Sequence, residues 1–382
     1  MLRRRQFAFN ARLAATRFSR QNPETGAPMV LGPLTLHDFR CFSRAEFHPA
    51  PGLNLLSAPN ASGKSSVLEA ACVLLRLQSP RAGSLAEAVK HGTAGFSLRG
   101  QAGDRALACH YSAAEGRQLK LDDVAQRKSD EYLRTGLVAF FSNEDIELVR
   151  GSSSKRRRFL DFLGSQCDAG YLQNLRAYER ALRSRNFLLK EGPHRGRELA
   201  AYDGPLIAAG EYLAHVRRAL CAELAPLVTR HVQAISPRGE STGLHYQSSG
   251  ADDLAAALAA SAAEERRLRQ TVVGPHRDEV LLELDGAAAA TFASEGQQRT
   301  FTLALRLAQA DLIRARRGSP PVYLLDDIFG ELDTERRRRL LAALPSDAQR
   351  ILTTTTWQWL DEVGEAVCWT IRDGAIVAEA GR

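Results

Sequence analysis

Residues 57–66, SAPNASGKSS, combine a glycine, a lysine and serines in the order of a phosphate-binding loop. The apolar run Leu53–Ser57 predicts a strand before them, and a helical pattern follows. In such a loop, backbone N–H groups and the positive end of the helix hold a β- and γ-phosphate. Lys64 would reach these phosphates, and Ser65 would ligate Mg²⁺. A lone Gly-Lys-Ser is a weak signal, and an ordinary turn that caps a helix is the alternative.

Two alanines, Ala58 and Ala61, stand in this loop where glycines are common. Each adds only a methyl group, so we expect a strained loop that still binds phosphate. The residues expected to contact the nucleotide are Ala58, Pro59, Asn60, Ala61, Ser62, Gly63, Lys64, Ser65 and Ser66.

Two adjacent carboxylates follow a second apolar run, in the segment PPVYLLDDIFGELD of residues 320–333. The run predicts a strand buried on both faces, whose carboxyl end is where open α/β sheets bind ligands. Asp326 would hold Mg²⁺, and Asp327 would orient or deprotonate the attacking water. The alternative is a strand that ends in a solvated acidic turn.

A third motif, ASEGQQRT, begins at residue 293 and opens a long helical pattern that reaches about Arg317. Ser294 is predicted to cap this helix, Gly296 keeps the backbone approachable, and Gln297 lies in the same first turn. One nucleotide does not need two helix ends. The second end would therefore serve the nucleotide of another subunit, as in the head-to-tail sandwich of ATP-binding-cassette (ABC) proteins. A capped surface helix is the alternative.

These motifs, together with LHDFRCFSRAEF (36–47), NEDIELVRGSSSKRRRFLDFL (143–163) and VVGPHRDEVLLEL (272–284), resemble the RecF family of recombination and repair ATPases. The resemblance covers almost the whole chain from about Val30. It implies an α/β fold, an ABC-type (SMC-like) P-loop ATPase head with an inserted helical arm domain.

The resemblance also implies roles for further residues. Arg40 would lie near the phosphates, and Asn143 to Asp145 would couple the nucleotide to the helical region. The loop Gly330 to Asp333 would cross between subunits. The histidine usual after the last core strand is replaced by threonines, so Thr354 or Thr355 would contact the γ-phosphate instead.

The function implied is a weak, DNA-stimulated ATPase of the cytoplasm with ATP and Mg²⁺ as cofactors. An ATP-dependent homodimer would clamp double-stranded or gapped DNA, and slow hydrolysis would release it. RecR, with RecO and RecA indirectly, would be the partners. The alternatives are a transporter-type ABC ATPase subunit, a small-molecule phosphotransferase, and a scaffold that binds ATP but scarcely hydrolyses it.

Composition indicates a globular chain of 382 residues, 44% hydrophobic and 25% charged, without an apolar run long enough to cross a bilayer. Six cysteines without CxxC spacing predict free thiols rather than a zinc site or a disulfide framework. Residues 1–28 carry six of the arginines and one glutamate. This basic leader is expected to be disordered or untranslated, with Met29 as the start.

The remaining chain is predicted to form two parts. Residues 29–149 and 271–382 would form a discontinuous ABC-type ATPase domain, and 150–270 a helical arm inserted into it. Residues 151–270 hold 18 Lys and Arg against 13 Asp and Glu. Arg176, Arg180 and Arg183 recur at helical spacing and could follow a duplex backbone, although a solvated charged face is as common. In GPHRDE, His276, Arg277 and Asp278 could form a local polar network.

Overall fold

The computed structural model describes residues 28–192, 196–236, 238–250, 252–356 and 365–379; residues 1–27 of the predicted leader lie outside them. The strands of this part of the chain are β1 (Leu31–Phe39), β2 (Phe42–Phe47), β3 (Leu53–Ser57), β4 (Gly95–Ala102), β5 (Arg105–Ser112), β6 (Gly116–Leu121), β7 (Val124–Gln126), β8 (Val138–Ser142), β9 (Thr242–Gln247), β10 (Glu279–Leu284), β11 (Ala287–Ala288), β12 (Val322–Asp326), β13 (Arg350–Thr354), β14 (Val367–Arg372) and β15 (Ala375–Ala378).

The α-helices are α1 (Lys64–Arg76), α2 (Asp130–Thr135), α3 (Glu147–Arg150), α4 (Ser153–Cys167), α5 (Tyr171–Glu191), α6 (Gly196–Ile235), α7 (Leu254–Leu268), α8 (Ala289–Phe292), α9 (Glu295–Arg317) and α10 (Thr334–Ala343). Short 3₁₀ turns cover Leu85–Ala88, Asn143–Ile146 and Ile328–Glu331.

The central sheet has the strand order β15-β14-β3-β13-β12-β8. Its strands run parallel except for β15, which forms an antiparallel hairpin with β14. β3 and β12 are buried along their whole length, which explains why both are continuous apolar runs rather than alternating patterns. Parallel strands place their carboxyl ends at one edge, so the residues after β3 and β12 meet there.

Helix α1 lies between this sheet and an antiparallel sheet with the order β2-β1-β4-β5-β6-β7. The helix is buried on nearly all sides, as expected for one covered by a sheet on each face. Its buried Glu69 is paired with Arg40 from the β1–β2 turn, with Nη2 and Oε1 2.6 Å apart. The pairing neutralises a carboxylate that would otherwise be costly to bury.

The other face of the central sheet is covered by α9 and α10. Leu303 and Leu307 of α9 pack with Phe141 and Leu325 in one apolar cluster, which also includes Leu340 of α10. Helix α9 therefore packs on the sheet through Leu303 and Leu307, and its N-terminus, which Ser294 caps, is fixed relative to the sheet.

Helices α5 and α7 and the first half of α6 share a separate apolar cluster that includes Tyr178, Leu206, Leu213 and Leu254. The second half of α6 instead packs into the main core with α9. Strand β9, inside the predicted arm, pairs with β10 beyond residue 270. The division into an ATPase domain and an arm remains a prediction.

The strands and helices predicted at the motifs agree with the structure. The helical pattern further along the chain predicts a helix from Ile207 to Ile235, but α6 already begins at Gly196. Pro205 lies inside this helix, and its ring does not end it. Among the described residues, no helix is both long and apolar enough to span a membrane.

Candidate functional site: a phosphate loop and a distant helix end

The candidate site lies at the carboxyl edge of the parallel sheet. Here Thr354 of β13 is in register with Ser57 of β3, and Asp326 of β12 with Ser142 of β8. The phosphate loop leaves β3 at this edge and enters α1, as the sequence predicts. Ala58 N donates to Thr354 O at 3.3 Å, which fixes the start of the loop to the neighbouring strand.

Two loop residues adopt left-handed backbone conformations. Gly63 has φ of 102°, and a Cβ there would lie 2.7 Å from both Cys41 Sγ and Phe42 Cζ of the β1–β2 turn. Glycine is therefore required at this position for two independent reasons. Ala61 has φ of 62°, a conformation that is costly for alanine, so the predicted strain lies at this position.

Lys64 is the first residue of α1, and its Nζ donates to the carbonyls of Ala58 (2.5 Å) and Pro59 (2.8 Å). Burial lowers the pKa of this ammonium group, whereas the nearby Asp327 and Asp326 raise it. Lys64 therefore lies folded over the loop, near enough to the two carboxylates to feel their charge. From there it can reach a phosphate bound in the loop.

The predicted magnesium ligands meet in the structure. Ser65 Oγ donates to Asp326 Oδ1 at 2.9 Å, close to the separation of about 3 Å between adjacent oxygen ligands of an octahedral Mg²⁺. The buried Thr353 Oγ1 donates to the same Asp326 oxygen at 2.8 Å. Hard oxygen donors in this arrangement fit Mg²⁺.

Asp327 has a left-handed backbone (φ of 52°) and is held through its main chain. Its N–H donates to Thr353 Oγ1 at 2.9 Å, and Asn143 Nδ2 donates to its carbonyl at 3.2 Å. The carboxylate is left out of these bonds. Burial raises its pKa, Lys64 opposes this, and Asp326 adds to it. A carboxylate with a raised pKa is a better proton acceptor, which suits the predicted role of a base.

Ser294 caps α9, as predicted, with a complete capping box. Ser294 N donates to Gln297 Oε1 at 2.9 Å, and Gln297 Nε2 donates to Glu240 at 3.3 Å. The Gln297 side chain is therefore engaged within its own subunit. Ser294 is exposed, and Gly296 is partly exposed. This end of α9 is a capped, solvent-facing helix N-terminus with the positive potential of such an end.

Two of the remaining predicted site residues, Arg40 and Asp145, have internal partners. Arg40 donates to Glu69 and to the carbonyl of Glu87 (2.6 Å). Asp145 accepts from Arg306 Nε (3.0 Å) and from Ser142 N (2.8 Å). Thr355 is exposed and follows Thr354, whose carbonyl accepts from Ala58 N at the start of the phosphate loop. Their contacts with a nucleotide remain predictions.

Thr353, which joins the two aspartates, is not predicted by the sequence motifs. The signal for Thr353 was weak, because four threonines follow one another and the next one, Thr354, is also buried on β13. Arg336, whose guanidinium lies against Gly296, is not predicted either. The spacing of Arg336 from Asp333 is three residues within α10's first turn, which alone indicates only a surface pair.

His276 and Asp278 of GPHRDE are hydrogen-bonded, but to residues outside the motif rather than to each other or to Arg277. His276 Nε2 donates to Thr271 O (3.0 Å), and its Nδ1 accepts from Tyr178 Oη at 2.6 Å. Burial lowers the pKa of His276 to about 4, so the ring is neutral at neutral pH. The buried Asp278 accepts from Ser249 N at 2.8 Å. The network joins α5 to the segment before β10.

Two arginines of the basic segment 151–270, Arg185 and Arg217, are not on the surface. Arg185 is buried and paired with Glu265, with Nη2 and Oε2 2.7 Å apart. Arg217 is buried and donates to Asp161 Oδ1 at 2.7 Å. Arg185 thus joins α5 to α7, and Arg217 joins α6 to α4. Neither can contact an external phosphate, because a buried guanidinium needs its partner.

A phosphate loop before a central helix, a carboxylate pair on a neighbouring parallel strand and a second, capped helix end define an ABC-type P-loop ATPase head. The AAA domain family matches residues 34–158. The Smc head bound to the C-winged helix domain of ScpA is 14% identical with a TM-score of 0.54, which shows the shared SMC-like fold.

Relatives over nearly the whole length are more specific. The DNA replication and repair protein RecF of Symbiobacterium thermophilum is 36% identical over 343 residues, 86% of this chain and 92% of that protein. RecF of Anaeromyxobacter sp. (strain Fw109-5) is 38% identical, with the same coverage. A solved structure described as the recombination mediator protein RecF-ATP in the RecFOR pathway is 28% identical, with a TM-score of 0.85 over 94% of this chain and all of that one. The chain belongs to the RecF family of DNA replication and repair proteins.

Proposed function

We propose that ATP closes two copies of this chain, head to tail, over double-stranded or gapped DNA, and that slow hydrolysis reopens them. The observation that supports this most is the end of α9. The phosphate loop already has the N-terminus of α1, whereas the Ser294-capped N-terminus faces solvent. A phosphate held by a second subunit is the anion that would suit this end.

The proposed steps use the phosphate loop, the two aspartates after β12 and the N-terminus of α9. Lys64 leaves the loop carbonyls and binds the β/γ-phosphates. Ser65 and Asp326 hold Mg²⁺, which neutralises charge on the phosphates when it is bound. Asp327 accepts a proton from the attacking water. Ser294 and Gly296 of the partner subunit cover the γ-phosphate, so the binding energy of two shared nucleotides stabilises the closed dimer.

The proposed DNA surface lies on α4 and α5. Lys155, Arg158, Arg180 and Arg183 are exposed there, and none forms a salt bridge within the described residues. Arg176 of the predicted stripe is half-buried and donates to Ser129 Oγ. Exposed cations without carboxylate partners favour contacts with the phosphate backbone and little base readout.

The proposed pathway and partners are based on the relatives. A solved relative is described as part of the RecFOR pathway. We propose that this chain likewise acts in the cytoplasm with RecR and RecO and supports RecA loading at gaps or single-strand/double-strand junctions. The ATPase would be weak and stimulated by DNA.

Light scattering tests the dimer. The mass of the chain is measured with Mg-ATP, with Mg-ADP and without nucleotide, and for Ser294→Arg. ATP alone should double the mass, and the arginine should abolish doubling without loss of ATP binding, because it adds bulk and positive charge at the end of α9.

Two controls separate the causes. Ser294→Ala removes only the cap hydrogen bond and should weaken the dimer less than Ser294→Arg. Ala315→Arg places the same side chain on an exposed position near the other end of α9 and should dimerise normally. A wild-type mass that never changes would refute the shared site and favour a monomeric phosphotransferase or a partner-dependent subunit.

Salt dependence tests the DNA surface. Replacing Arg180 and Arg183 by alanine should lower the slope of log affinity against log salt by about 2, one per lost phosphate contact. The matched control replaces Arg44 of β2 and Arg372 of β14 by alanine, two exposed arginines that lie on strands and not on α4 or α5. Equal slopes in the two double variants would exclude α5 from the DNA surface.

A further inference from the structure

Arg336 joins two elements that both face the proposed partner. Its guanidinium lies against Gly296 in the first turn of α9, so close that a Cβ on Gly296 would be 3.0 Å from Nη1. The same Nη1 donates to Asp333 Oδ2 at 2.9 Å. Asp333 ends the loop after Asp327 and caps α10 by accepting from Arg336 N at 2.8 Å.

The position of this guanidinium is unusual on electrostatic grounds. The N-terminus of a helix carries partial positive charge and favours anions, so a cation beside it is unfavourable unless something else holds it there. Asp333 holds it, and glycine at 296 leaves the room for it. The contact therefore depends on both elements at once.

A second contact connects the same elements. Arg299 of α9 pairs with Glu331 of the loop at 3.1 Å and with Glu295 at 2.9 Å. Arg299 divides its charge between two carboxylates that are each at least half exposed, and such pairs contribute little. The Arg336–Asp333 pair is about as exposed as the Arg299–Glu331 pair, so the feature that distinguishes Arg336 is the contact of its guanidinium with Gly296.

We infer that Arg336 is a positioning residue that fixes the loop Gly330–Asp333 to the first turn of α9, so that both reach the partner's nucleotide as one rigid unit. This inference rests on the proposed shared site. Arg336 acts through Gly296 and Asp333 and needs no contact with the nucleotide itself.

The test measures the dissociation constant of the ATP-dependent dimer. Arg336→Ala should raise it about tenfold, because the link is lost at both sites of the dimer, while ATP binding to the monomer stays unchanged. Arg336→Lys keeps the charge next to Asp333 and should restore part of the loss. Arg338→Ala removes an exposed arginine that pairs with Glu335 on the same helix and should dimerise like wild type.

A double-mutant cycle shows whether Arg336 acts through Gly296. Gly296→Ala should displace the guanidinium, so the two changes together should weaken the dimer much less than the product of their separate effects. Hydrogen exchange of residues 328–333 in the nucleotide-free monomer should become faster in Arg336→Ala. A wild-type chain that stays monomeric refutes the proposed function. A dimerising wild type with an equally tight Arg336→Ala dimer, or additive effects in the cycle, refutes this inference alone.

Discussion

Replacing Thr353 by valine should destabilise the nucleotide-free protein, although the two side chains have nearly the same shape. Thr353 is fully buried on β13, where valine is well tolerated. Its hydroxyl donates to Asp326 Oδ1 at 2.8 Å and accepts from Asp327 N at 2.9 Å. The substitution removes both bonds and leaves an N–H and a carboxylate oxygen with fewer partners.

The magnitude follows from these two bonds. A hydrogen bond to a charged group contributes about 1.5–3 kcal/mol, and a buried N–H without a partner costs about 1–3 kcal/mol. The extra methyl group of valine offsets up to about 0.8 kcal/mol. We expect a net loss of about 2–4 kcal/mol in the free energy of unfolding.

Urea unfolding, followed by circular dichroism, measures this loss. The matched control is Thr302→Val in α9, where the buried hydroxyl donates to Gln298 O within its own helix. That carbonyl keeps its ordinary helical bond, so the control should lose less than about 1 kcal/mol. Equal losses in the two variants would refute the role assigned to Thr353, and so would a loss below about 1 kcal/mol.

Three further predictions concern the site and the network near α5. Asp327→Asn should slow ATP turnover about 10²–10⁴-fold, because the base is lost, and should lengthen the life of the ATP dimer. Cys41, the exposed one of the six cysteines, should react with a maleimide in the free protein and be protected by Mg-ATP, because its Sγ lies against Gly63. His276→Gln should flatten the loss of stability at low pH. The folded pKa of His276 is lowered to about 4 from 6.5, so the unfolded chain binds an extra proton as the pH falls from about 6.5 towards 4, and stability decreases over that range.

Each of these has an outcome that would contradict it. If Asp327→Asn leaves the residence time on DNA unchanged, hydrolysis does not control release, and the scaffold that binds ATP but scarcely hydrolyses it is favoured. Cys41→Ser should abolish fast labelling, since the buried thiols have little access; labelling that persists, or that ATP leaves unchanged, would contradict the contact with Gly63. An equally steep pH profile in wild type and His276→Gln would show that His276 is protonated in the folded state.

The sequence predicts the phosphate loop and the aspartate pair well because these residues are contiguous and follow buried strands. Ser294 is equally local, since a capping box needs only four residues. Thr353 and Arg336 are different. Their roles come from strands and helices that meet only in the folded chain, and no spacing along the chain encodes that meeting.

For Arg185 and Arg217, the sequence suggests exposed side chains, but the structure buries them. In the sequence they resemble the exposed arginines beside them, because helical spacing indicates a face but not what covers it. The structure places Glu265 and Asp161 against them.

Helix α6 has a mechanical consequence. Leu206 and Leu213 lie in the apolar cluster shared with α5 and α7, whereas Leu224 and Val232 lie in the core that contacts α9. One helix, which contains Pro205 and Pro226, carries all four. At 1.5 Å per residue, Leu206 is about 30 Å from the middle of the α9 contact. A tilt of α6 by about 10° at that contact would displace Leu206 by about 5 Å. A small change in the angle between α6 and α9 would therefore move the far end of α6 by several ångströms, with the helix acting as a lever arm rather than as a flexible tether.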